Sequence, residues 1–87
     1  MIYELLRSPQ ALRQLRRLQR THPQIIPQIV AAITALSDNP RPSGVTKLVN
    51  RPEWRVRVGD YRVLYSIDDR ERIVTVVSIA PRRDAYR

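Results

Sequence analysis

The stretch WRVRVGDYRVLY, residues 54–65, decides how this chain folds. Gly59-Asp60 reads as a two-residue hairpin turn of the Gly-x type, and a turn of that length sets the register of the strands it joins. Val58 then pairs with Tyr61, Arg57 with Arg62, Val56 with Val63, Arg55 with Leu64 and Trp54 with Tyr65. Side chains alternate across a strand. One face therefore carries Trp54, Val56, Val58, Tyr61, Val63 and Tyr65, which is a core face. The other carries Arg55, Arg57, Arg62, Leu64 and Ser66. Arg57 and Arg62 stand opposite each other, and like charges so placed destabilise a sheet by roughly a few tenths of a kcal/mol. Folding supplies no reason for that arrangement. The arginines are expected to form a cluster on the second sheet face, aimed at something anionic.

The rest of the chain arranges itself around this hairpin. Strands are expected at about 53–58, 61–67 and 73–80, with Asp68 to Arg72 linking the last two. Residues 45–49, VTKLV, are short and ambiguous. Asp38 to Gly44, DNPRPSG, is a loop by its turn chemistry. At the other end, residues 2–6 read as a short strand, and Ser8-Pro9 as a helix start with Ser at the N-cap and Pro at the first helical position. In residues 9–20, Ala11, Leu12, Leu15 and Leu18 fall within an arc of about 120°. Arg13, Arg16, Arg17 and Arg20 fill the opposite arc. That arc is either a solvated surface or a contact to phosphates or an acidic partner. His22-Pro23 ends this helix, and His22 reads as a boundary residue. A second helix is expected from about Gln24 to Ser37, with Pro27 in its first turn and Ile26, Ile29, Val30, Ile33 and Leu36 buried. Its outer face, Gln24, Gln28, Ala31, Thr34 and Ala35, lacks formal charge and suits a docking partner. The order β-α-α-β-β-β predicts one α+β domain over residues 1–87: a short N-terminal strand, then two helices packed on an antiparallel sheet that ends in a three-strand meander.

Composition narrows the function. The 16 Lys and Arg against 8 Asp and Glu leave a net charge of +8. Lys47 is the one lysine among those cations. Arginine keeps its charge and forks onto phosphate or carboxylate, whereas lysine is a point charge. Nucleic acid is the first expectation, an acidic protein the second. With no cysteine, disulfides and thiolate metal sites are excluded, and no metal or cofactor is expected. No apolar run approaches about 20 residues, so no membrane span is expected. No secretory leader is visible. A soluble cytoplasmic protein is the expectation.

The run from Lys47 to Arg87, with WRVRVGDYRVLYSI and then VTVVSIAPRRDAYR, resembles the RelE/ParE superfamily of bacterial toxins, and within it RelE. SPQALRQLRRL and a second helix ending before NPRP match the layout of the helical half. The resemblance implies a fold like that of a small microbial ribonuclease. It implies a toxin of a type II toxin–antitoxin pair that cuts mRNA in the ribosomal A site and is held by an acidic antitoxin in a hetero-oligomer. Carried over position by position, Arg57, Arg62, Arg82 and Tyr86 are the catalytic candidates. Arg55, Lys47 and Arg83 are candidates for RNA contact, joined by Arg13, Arg16, Arg17 and Arg20 of the first helix.

The reaction implied is metal-free attack of the ribose 2′-OH on the adjacent phosphorus. Arg57, Arg62 and Arg82 suit stabilisation of the developing charge. Tyr86 suits stacking or proton handling. No base is evident: both positions before the turn are arginine, which does not deprotonate in proteins. Pro81 stands where other members place His. Glu53 sits at a strand start beside Pro52, and Trp54, Tyr61 and Tyr65 read as core. Two alternatives remain open: a ParE-like toxin that inhibits DNA gyrase without nuclease activity, and a binding module that has lost catalysis.

Overall fold

The computed structural model describes residues 2–81. The elements run β1 (Glu4–Arg7), α1 (Pro9–Thr21), a 3₁₀ turn (Pro23–Ile25), α2 (Ile26–Asp38), β2 (Thr46–Lys47), β3 (Trp54–Val58), β4 (Tyr61–Asp68) and β5 (Ile73–Pro81). The five strands form one sheet in the order β1-β5-β4-β3-β2. The meander and its register are as the hairpin dictates, from Trp54 opposite Tyr65 to Val58 opposite Tyr61. Gly59 has φ 58°, and a Cβ added there would meet Ile25 Cδ1 at 3.3 Å. The turn thus needs glycine both for its backbone and for the close approach of the 3₁₀ turn.

Two expectations change. The sheet is mixed, because β1 lies parallel to β5, with Glu4 opposite Ile73 and Arg7 opposite Val76. A crossover through both helices returns the chain to the sheet, and such a connection permits a parallel neighbour. The ambiguous stretch 45–49 contributes β2, a two-residue edge strand with Thr46 opposite Arg55 and Lys47 opposite Trp54.

The second helix also starts later than expected. Pro23 opens the 3₁₀ turn, and Pro27 sits in the first turn of α2, where its missing N–H costs nothing. Ile29, Ile33 and Leu36 are buried, but Val30 is 45% exposed and leaves the predicted stripe. Gln24, Gln28, Ala31, Thr34 and Ala35 are exposed, as their lack of apolar bulk suggests.

One core cluster joins Ala11, Leu18, Ile29 and Ile33 to Val58, Val63, Val76 and Ile79. A second gathers Leu36, Tyr65 and Val74, with Tyr3, Trp54 and Ile67 around them. The parity of the two strands is held through a bulge in β5. Leu64 lies opposite Ser78 but Tyr65 opposite Val76, so Val77 is extra. A bulge re-aims backbone groups locally. Here Ser8 N–H donates to Val76 O at 2.9 Å and Ser8 Oγ to Val77 O at 2.8 Å. The same Ser8 Oγ caps α1 by accepting from Ala11 N–H at 3.0 Å. Further along, Gln14 Oε1 accepts from Ile79 N–H at 2.6 Å. The second half of β5 thus has its outer edge covered by α1, where an open edge would invite aggregation.

Candidate functional site

Strand parity brings the hairpin arginines together. Arg55, Arg57 and Arg62 line a pocket of about 200 Å³ with Gly44 and Thr46. Thr46 joins them because it stands opposite Arg55 on the same face. Lys47 stands opposite Trp54, on the other face, and its Nζ donates to Arg51 O at 2.6 Å. The structure therefore places Lys47 outside the arginine pocket. Gly44 has φ 91°, with nothing within 4 Å of where a Cβ would sit. Its backbone, not the space around it, calls for glycine.

The cluster is not an open face, as parity alone suggested. Arg57 is exposed and Arg55 half-buried, while Arg62 keeps only 2% of its surface accessible. Arg62 is on the central strand of five, and its neighbours Leu64 and Ala80 on that face are buried too, at 5% and 8%. A guanidinium so enclosed is fixed in position before any ligand arrives. None of the described residues lining the pocket carries a negative charge.

The loop that brings Gly44 and Thr46 to the pocket is tied down at its start. Arg41 grips Asp69 with two parallel hydrogen bonds, Nη1 to Oδ1 at 3.2 Å and Nη2 to Oδ2 at 2.9 Å. Its guanidinium also lies 5.2 Å over the Trp54 ring. Tyr3 Oη donates to Asp69 Oδ1 at 2.6 Å. The hydrogen bonds from Arg41 and then Tyr3 hold the Asp69 carboxyl below the ordinary carboxylate range. Behind this clamp Tyr65 Oη donates to Pro40 O at 2.7 Å, and burial pushes the Tyr65 phenol up to about 12.

A larger cleft, about 530 Å³, opens beside the arginine pocket between α1 and the end of β5. Gln10, Gln14, Arg17 and Thr21 of α1 form one wall. Leu64, Ser78, Ile79 and Ala80 form the floor, and His22 and Tyr61 close one end. The His22 and Tyr61 rings meet edge to face with centroids 6.5 Å apart. From sequence alone His22 is a helix boundary and Tyr61 a core residue. His22 is indeed the residue that ends α1, but it also joins this cleft. The readable signal is the polar stripe Gln10, Gln14, Arg17 and Thr21, spaced for one helix face.

Of the four α1 arginines, all exposed, Arg17 lines the cleft. At about 100° per residue, Arg13 and Arg20 lie about 40° and 60° to one side of it, and Arg16 lies about 100° round on the same side. Arg82, Arg83 and Tyr86 lie outside the described residues. Among the described residues no group of three or more His, Asp or Glu is placed to hold a metal ion. No described helix is long and apolar enough to cross a membrane.

Comparison with known proteins places these features in a family. Residues 5–86 match the ParE toxin of the type II toxin–antitoxin system parDE. No match is found among curated proteins. Among solved structures, the toxin–antitoxin complex RelBE2 of Mycobacterium tuberculosis shares 30% identity over 94% of this chain and 100% of that one, with a TM-score of 0.75. The archaeal RelE–RelB complex of Pyrococcus horikoshii shares 26% identity over 94% and 97%, with a TM-score of 0.77. A YoeB/ParE toxin of Agrobacterium tumefaciens, at 16% identity over 90% and 96% and a TM-score of 0.78, shares the fold. The family match spans nearly the whole chain and takes in both helices, the meander and the arginine-bearing hairpin. This chain therefore belongs to the ParE toxin family of type II toxin–antitoxin systems, within the RelE/ParE superfamily.

Proposed function

We propose that this toxin is an endoribonuclease that cuts mRNA on the ribosome, with the arginine pocket as its phosphate site. The observation that carries the reading is the meeting of Arg55, Arg57 and Arg62 in one pocket. Two like charges directly opposite, Arg57 and Arg62, cost stability. An anion between them reverses the sign of that term. In this reading the ribose 2′-OH attacks the adjacent phosphorus, the 5′-oxygen leaves, and the guanidinium groups stabilise the charge that builds on the phosphorane oxygens. Preorganised cations at developing charge are usually a large catalytic contribution. Arginine cannot take the proton from the 2′-OH, so the pocket positions and stabilises. Arg82 and Tyr86, beyond the described residues, complete the candidate set, with Arg83 and the α1 arginines contacting RNA.

The partner proposed is an acidic antitoxin, forming a toxin–antitoxin hetero-oligomer. The net charge of +8 supports this, and similar solved chains are toxins in complexes with RelB. The test is primer extension on mRNA after induction, for the wild type and Arg57→Ala. Cuts within translated codons that vanish in the variant are expected. Growth inhibition with DNA-damage signalling and no cuts would overturn the reading in favour of its alternative, a non-nuclease toxin acting on DNA gyrase. The match to the ParE toxin favours that alternative.

A further inference from the structure

The cleft beside the arginine pocket has a different chemistry from the pocket itself. Its floor is apolar: Leu18, Leu64, Ile79 and Ala80. Its end is aromatic, with His22 against Tyr61. Its polar groups are neutral, the side chains of Gln10, Gln14, Thr21 and Ser78, with Arg17 the sole charged residue among the described lining. Apolar walls with a few convergent amide and hydroxyl groups recognise an uncharged planar molecule, and the volume of about 530 Å³ is within the usual range for a small-ligand site.

The hydrogen-bond inventory is partly assigned already. The Gln14 amide oxygen is taken by Ile79 N–H, so its NH₂ group is what it offers a ligand. Thr21 Oγ1 donates its one proton to Arg17 O at 3.0 Å. Its oxygen also meets His22 Nδ1 at 3.1 Å. The Gln10 amide supplies both a donor and an acceptor. The cleft wall thus combines donors and an acceptor, as the edge of a nucleobase requires.

Position supplies the second argument. Arg62 lines the arginine pocket and Leu64 lines the cleft. They are two residues apart on β4, on one face, so their backbones are separated by about 6.6 Å. Neighbouring phosphate and base sites at that spacing fit a single nucleotide. We infer that the α1–β5 cleft is a nucleobase subsite that holds the base of a nucleotide whose phosphate lies among Arg55, Arg57 and Arg62. The inference rests on the phosphate reading of that pocket and adds the part of RNA it recognises.

The test compares inorganic phosphate with the four nucleoside 3′-monophosphates by NMR titration of the free chain, following the His22 ring and the Gln10 and Gln14 amides. Nucleotides should bind about tenfold or more tighter than phosphate, the scale of one base stacked on an aromatic side chain. They should shift the cleft signals, which phosphate alone leaves in place. Gln10→Ala and His22→Ala should each cut the nucleotide affinity toward that of phosphate and leave phosphate affinity unchanged. Arg57→Ala should weaken both ligands. If phosphate binds but nucleotides bind no tighter, the subsite falls while the phosphate pocket stands. If phosphate does not bind, or binds independently of Arg57, the phosphate reading itself falls. If deleting residues 82–87 moves the cleft signals and nucleotide adds nothing, the cleft belongs to the chain's own tail and the subsite falls.

Discussion

Arg57 and Arg62 stand directly opposite each other across the β3–β4 hairpin, yet one is exposed and the other is almost wholly buried. The pair is chemically symmetrical and energetically unequal. The exposed member can be removed with little consequence for folding. The buried one fills space in the middle of the sheet as well as carrying charge.

Arg57→Ala should therefore separate function from fold. An exposed strand position tolerates truncation within about 0.5 kcal/mol. Loss of one fixed cation at a developing oxyanion costs on the order of 10²-fold in rate. Equilibrium urea unfolding should give a near-parental midpoint, while mRNA cutting falls by about that factor. A parental cutting rate in the folded variant would remove Arg57 from the site.

Arg62 behaves differently from the strand-parity expectation, which would have its removal leave stability unchanged or higher. Arg62→Ala empties a buried position and should cost about 2 kcal/mol. Arg62→Met keeps an unbranched stem of similar reach and removes the like charge opposite Arg57, so it should retain most of the stability. Both should lose mRNA cutting. The comparison is read by urea unfolding, and an Ala variant as stable as the Met variant would show that packing around the stem contributes nothing.

Reversing Arg13, Arg16, Arg17 and Arg20 to Glu should lower co-sedimentation with ribosomes, because all four are exposed on α1 and away from the hairpin. Arg57→Ala should co-sediment like the wild type. Equal losses would merge the two surfaces into one.

Tyr65 gives a signed pH dependence. Burial raises its phenol from an ordinary value near 10 to about 12, so the folded state favours the neutral form. The stability this contributes is complete below pH 10 and is lost as pH rises through about 12. Tyr65→Phe should be less stable at pH 7 by about 1 kcal/mol, since Pro40 O loses its donor. That deficit should shrink between pH 10 and 12 in thermal melts. A deficit constant across that range would show that Tyr65 does not titrate with unfolding. At the acid end Asp69 works in the opposite sense. Its carboxyl is held low by Arg41 and Tyr3, so the clamp's contribution is present at neutral pH and disappears as pH falls below the ordinary carboxylate range.

Ser8→Ala should cost about 1–2 kcal/mol, at the upper end for an N-cap. The hydroxyl both accepts from Ala11 N–H and donates to Val77 O. Ser8→Thr keeps both bonds and should recover most of the loss, as measured by urea midpoint.

The hairpin was readable because a two-residue turn is a local signal that determines a whole register. Both helices were readable from their caps and spacing, although the two prolines, Pro23 and Pro27, divided the start of the second into a 3₁₀ turn and a helix. The parallel β1–β5 pairing was not readable, since nothing near residues 4–7 or 73–76 names a partner so far along the chain. Strand parity placed Arg62 on the correct face but carried no information on what surrounds it. Arg62 and Leu64 on the central strand β4 are covered while Arg57 on β3 is not, a difference that parity alone does not contain. Lys47 was the reverse case: the resemblance made it a candidate for RNA contact, and the pairing with Trp54 puts it on the face away from the arginine pocket. The cleft depends on how α1 lies against β5, a packing relation that helix periodicity alone does not contain.

The ties between Ser8 and the β5 bulge join residues 69 positions apart in the chain. Contacts of such sequence separation form late, because a long loop must close before they return any free energy. The meander from Trp54 to Pro81 needs only short loops. Sequence separation therefore predicts that the arginine-bearing hairpin takes shape before β1 and α1 dock onto the outer edge of β5. The same step builds the α1 wall of the cleft. In a kinetic experiment, substitutions at Ser8 and Gln14 should accelerate unfolding and leave the folding rate nearly unchanged, whereas substitutions at Val58 or Val63 should slow folding itself.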